Sequence, residues 1–151
     1  MDVRRSTTAR KIRGPRVSRH LRIARPLSDI ARSARMYREG LEMTTLDSFE
    51  DHEGFDGVMI GGAGGAFHLE FTRFRRHALQ PAPTAEDLLV FFYAASAPDR
   101  TATCARMVAA GFEPVASFNP YWERRGQTFR DPDGYRVAIH RGPWTAECPD
   151  G

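Results

Sequence analysis

One stretch of this chain repeats, and the repeat restricts the fold more than any other feature. Residues 33–42 (SARMYREGLE) align with residues 104–113 (CARMVAAGFE), sharing Ala-Arg-Met, three variable positions, then Gly, an apolar residue and Glu. Each copy reads as the end of a helix closed by a glycine, Gly40 or Gly111, followed by an apolar entry into a strand. The flanks repeat as well. A strand-like run precedes each helix (residues 20–25 and 88–93), with start signals at Ser28 in one copy and at Ser96 and Pro98 in the other. Three strand-like pieces follow each helix, at 41–46, 56–61 and 67–74 and then at 112–119, 124–130 and 135–140. The pattern predicts an α+β fold of two tandem β-α-β-β-β modules, residues 20–79 and 85–141, joined by the QPAPT linker at 80–84. A curved mixed sheet, with each module's helix on one side and the other side curled inward, would enclose a cavity between the modules.

At 151 residues and 41% hydrophobic content, the chain can bury one core without staples. Its net charge of +3 divides unevenly. Residues 1–19 hold seven basic residues against Asp2, or +6, leaving 15 basic against 18 acidic residues, or −3, elsewhere. The basic character belongs to an N-terminal arm, residues 1–19, with few apolar residues and no periodicity, expected to be disordered, and residues 142–151 read as a C-terminal tail. Nucleic-acid association through the arm is an alternative function, ranked below a solvated extension. Cys104 and Cys148 form no C-x-x-C pair, so neither a disulfide framework nor a thiolate zinc site is expected, and a cytoplasmic location follows. No apolar run approaches the roughly 20 residues of a membrane span.

Residues 131–134 (DPDG) form a turn by composition, and the run after them is β-compatible with its even-numbered members on one face. These features, with the strand Phe67-His68-Leu69-Glu70-Phe71 and the entry Arg22-Ile23-Ala24-Arg25-Pro26-Leu27-Ser28-Asp29, resemble the vicinal oxygen chelate superfamily of glyoxalases, extradiol dioxygenases, fosfomycin-resistance enzymes and bleomycin-binding proteins. The resemblance implies a glyoxalase-like fold and, in metal-dependent members, divalent-metal ligands on the first and last strands of each module. Those positions fall on Arg22 and Glu70 in module one, and on Leu88 or Val90 and Ala138 in module two. A guanidinium has no lone pair for a cation, and Leu, Val and Ala offer none either.

The expectation is therefore a protein that binds a small organic molecule without the usual metal and with no cofactor, by sequestration or by metal-independent chemistry. Arg22 and Glu70 would pair on neighbouring strands and serve as the catalytic candidates, with Leu88, Val90, Phe92, Tyr121, Trp122 and Ala138 completing the ligand-binding lining. The resemblance also implies a homodimer. The rival is a displaced metal site of His68, Glu70 and His140, with His20 in reach, suited to Zn, Ni, Mn or Fe in a glyoxalase- or dioxygenase-type enzyme. The glycine run at 61–65 lacks the Lys-Ser/Thr ending of a phosphate loop. His52 and His77 fall in polar segments read as loops (47–54 and 73–80), and Arg73, Arg75 and Arg76 form a small solvated basic cluster.

Overall fold

The computed structural model describes residues 20–62, 65, 67–93 and 98–144. The basic arm, Ser96 and Cys148 lie outside the described residues. Module one runs β1 (Leu21–Pro26), α1 (Ile30–Leu41), β2 (Thr44–His52), β3 (Phe55–Gly61) and β4 (Phe67–Phe74). Module two runs β5 (Leu88–Tyr93), α2 (Pro98–Ala110), β6 (Glu113–Val115), α3 (Pro120–Arg125), β7 (Gly126–Arg130) and β8 (Arg136–Arg141). The strand orders are the same, β1-β4-β3-β2 and β5-β8-β7-β6, with a parallel first pair and antiparallel neighbours beyond it. The fold is α+β, two four-stranded mixed sheets that remain separate instead of joining into one closed barrel.

A single core cluster draws on both modules, including Tyr37, Leu69 and Phe71 from the first and Met107, Phe129 and Ile139 from the second. The odd-numbered residues of β1, β4, β5 and β8 supply its strand side, and Phe67 meets Phe91 there across the modules. The even-numbered faces of these strands therefore point away from this core. A groove of about 930 Å³ is lined by module-one residues, between α1 and β2–β4.

Four local expectations change. The expected strand at 41–46 runs at Thr44–His52 instead, so His52 belongs to a strand and not to a loop. As the edge of its sheet β2 is exposed along nearly its whole length, so no apolar alternation marked it. The expected strand at 112–119 stops at Val115, because Asn119 caps α3 and Pro120 occupies its first turn, displacing the next strand to Gly126. Asp29, not Ser28, caps α1, its Oδ1 accepting from Arg32 N at 3.0 Å, while Ser28 N donates to Asp133 Oδ2 at 3.1 Å. Finally, Gly40 lies inside α1 and Glu42 takes the left-handed cap at φ 55°, whereas Gly111 has the expected positive φ of 104°.

Candidate functional site

The parallel β1–β4 register sets Arg22 beside His68 and Ala24 beside Glu70, all on the outer face of the first sheet. Arg22 Nη1 lies 2.5 Å from Glu70 Oε2, so the predicted pair forms. Its alignment is poor for a hydrogen bond, and Glu70 Oε2, shielded from solvent, is held by charge contact. The other side of the guanidinium does what the sequence reading missed: Arg22 Nε donates to His68 Nε2 at 2.9 Å. Arginine can only donate, so His68 Nε2 carries the lone pair and its proton resides on Nδ1, which faces His20 Nε2. The result is a directed chain, Arg22 to His68 to His20, anchored by Glu70.

Desolvation, followed by the charges of Arg22 and His20, holds the His68 imidazole below its ordinary pKa of 6.5. The folded chain therefore favours neutral His68, and the unfolded chain takes up the proton at higher pH. The stabilisation from this contact is complete above about pH 6.5 and is lost as pH falls toward the folded value. An Arg22→Met variant is expected to raise the His68 pKa, read by imidazole Cε1–H NMR titration; an unchanged midpoint would detach Arg22 from His68.

On the second sheet, Leu88, Val90 and Phe92 register with Arg136, Ala138 and His140. Leu88 and Val90 are half-buried, but Ala138 is only 2% exposed. Its cross-strand neighbour Thr128 is contacted by Ser117, so the segment before α3 closes over this part of the face. Tyr121 and Trp122 lie on α3 and gather with Phe92 around His140. Ala138 thus looks into a covered face, not an open cavity.

His68, Glu70 and His140 do not come together as a ligand set. Among the described residues no three His, Cys, Asp or Glu side chains converge as a ligand set. His68 and Glu70 are both engaged by Arg22, and His140 stands on the other sheet. Elsewhere, Arg73 and Arg75 lie 2.6 and 2.7 Å from the buried Asp56, whose carboxyl they hold far below the usual range; this basic cluster is substantially neutralised. Burial pushes the Cys104 thiol up, leaving a packed helix residue rather than a nucleophile.

Comparisons with known proteins agree with this architecture. Residues 21–72 match the YycE-like N-terminal domain and residues 86–141 the YycE-like C-terminal domain. The uncharacterized protein YycE of Bacillus subtilis is 39% identical over 119 residues, spanning 79% of this chain and 85% of that protein. Its crystal structure superposes with a TM-score of 0.78 at 36% identity, covering 85% of this chain and 93% of that one. The trypanothione-dependent glyoxalase I of Leishmania major (TM-score 0.63, 20% identity, 82% and 86% covered) and the fosfomycin resistance protein FosX of Mesorhizobium loti (0.61, 14%, 81% and 90%) share the fold alone.

Proposed function

The chain belongs to the YycE-like family within the vicinal oxygen chelate superfamily, and from that premise we propose that it binds a small organic molecule on its outward sheet faces without the superfamily's usual metal. One observation carries the reading: Arg22, a residue unable to ligate a cation, stands 2.5 Å from Glu70 and also holds His68. Its side chain is 52% exposed, so donors remain for an acidic or carbonyl oxygen of a ligand. The function is sequestration or metal-independent chemistry in the cytoplasm. Glu70 and His68 fix the guanidinium's orientation, and the half-exposed Leu88, Val90 and Phe92 supply apolar contact.

The protein acts as a homodimer in this reading. Because the shared core lies on the helix-covered faces of the sheets, where α1 packs on α2, each opposite face needs a second surface to become a cavity, and a second copy supplies it. The experiment is a calorimetric screen of small aromatic and aliphatic carboxylates against wild type and Arg22→Met, with mass by light scattering and elemental metal analysis. The expected result is twice the mass of one chain and a ligand weakened about 10- to 100-fold by Arg22→Met, the range for a charge-assisted hydrogen bond. Stoichiometric metal that disappears in Glu70→Ala would overturn the reading in favour of a metal-dependent enzyme.

A further inference from the structure

Resting on that outward-face reading, we propose that the second sheet carries an aromatic subsite with His140 Nε2 as its polar end. It takes a planar aromatic ring bearing one neutral donor, a hydroxyl or a ring N–H. His140 is 5% exposed and surrounded by rings: Phe92 at 4.9 Å between centroids, Trp122 at 5.6 Å and edge-on, and Tyr121 at 5.8 Å with only 21° between planes. Its Nδ1 lies 3.5 Å from the carbonyl oxygen of Gly142, which can only accept. The proton therefore belongs on Nδ1, and Nε2 presents a lone pair.

That lone pair is shielded from solvent and has no partner among the described residues. A buried acceptor left unpaired is a standing cost, and such exceptions call for a group that completes them. The cover over it is slight. α3 has six residues, none of them buried, and is held by the Asn119 cap and by Ser117 N donating to Glu123 Oε2 at 2.8 Å. Tyr121 and Phe92 remain 40% and 39% exposed, so the aromatic walls reach the surface on both sides of the imidazole. A small outward shift of α3, which carries Tyr121 and Trp122 with it, opens Nε2 to a ring seated between Phe92 and Tyr121. The walls select a flat ring by stacking, and the acceptor selects a donor on it; a carboxylate or phenolate has no proton to give and is repelled by the lone pair.

The test is a pair of titrations of the full-length protein with 4-methylphenol and with toluene, followed by long-range ¹H–¹⁵N NMR of the imidazoles. Saturable movement of the His140 Nε2 resonance by 4-methylphenol, with toluene about tenfold weaker and leaving Nε2 unmoved, is expected. His140→Phe should abolish the preference, and Tyr121→Ala should weaken both probes. The wild-type titrations decide the matter even if His140→Phe does not fold. Equal affinity for the two probes, or binding that leaves Nε2 unmoved, overturns the inference. If ligands sensitive to Arg22→Met still bind in that case, the outward-face reading stands; if neither face binds any probe, both fail.

Discussion

An Asp131→Ala variant loses about 3–4 kcal/mol of folding stability, measured by urea unfolding, the largest single effect expected outside the apolar core. The carboxylate is 4% exposed and accepts from Tyr37 Oη at 2.9 Å and from the backbone N of Asp133 and Tyr135 at 3.0 and 2.9 Å. Removing it strands the fully buried Tyr37 hydroxyl and opens the hairpin turn together. Each unpaired buried donor costs about 1–3 kcal/mol, partly offset because a desolvated carboxylate is no longer carried. Tyr37→Phe removes the donor and leaves the turn, so it costs about 1 kcal/mol. A loss below 1 kcal/mol in Asp131→Ala would show that this contact between α1 and the β7–β8 hairpin does not tie the modules.

The same group gives a pH signature. Burial raises the Asp131 carboxyl above its ordinary 3.8 despite the hydrogen bonds that oppose the shift. Between 3.8 and the folded value the native chain holds a proton that the unfolded chain releases, so this group adds stability as pH falls through its folded pKa. Asp56 works in the opposite sense, since its arginine partners lower its carboxyl and its contribution is lost on acidification. Comparing wild type with Asp131→Asn isolates the first effect: the difference in stability between them should change with pH between about 3.8 and the folded value and be flat on either side.

What could be read in advance follows from which interactions have a period. The two modules were legible because the repeated helix ends carry the same residues, and β4, β5 and β8 because their apolar runs lie on or beside the core. β2 carried no such signal, because an edge strand exposed on both sides satisfies no buried face. The Arg22–Glu70 pair was legible through the resemblance, which places the two residues on the first and last strands of module one. The partnership of Arg22 with His68 was not: period two placed His68 with Glu70, but only the register shows that the imidazole lies directly beside the guanidinium. His20 and His68 were grouped as metal donors when their nitrogens are committed to this chain of hydrogen bonds. Tyr121 and Trp122 were expected to line a cavity. The Asn119-Pro120 start signal that places them on α3 over His140 was available in the sequence.

Gly40 and Gly111 occupy the same position in the repeat and are expected to respond oppositely to substitution. A Cβ on Gly40 would come 2.7 Å from Met107 Sδ, 3.2 Å from Phe112 Cε2 and 3.5 Å from Met107 Cα, so this glycine permits the close approach of α1 and α2. Its conformation is helical and needs no glycine. Gly40→Ala gains about 1 kcal/mol of helix propensity against a contact that a flexible methionine can partly relieve, and should lie within about 1 kcal/mol of wild type. Gly40→Leu has no such escape and should lose about 3 kcal/mol by overpacking the contact between the modules. At Gly111 the space is open, the nearest atom being Met36 Cε at 3.7 Å, but φ is 104°. Gly111→Ala should therefore cost about 1–2 kcal/mol through the backbone alone. The decisive comparison is a double-mutant cycle by urea unfolding. Met107→Ala should recover much of the loss in Gly40→Leu because the leucine fills the vacated volume, and it should leave the cost of Gly111→Ala unchanged. Simple additivity of Gly40→Leu and Met107→Ala would mean that Gly40 does not set the helix contact.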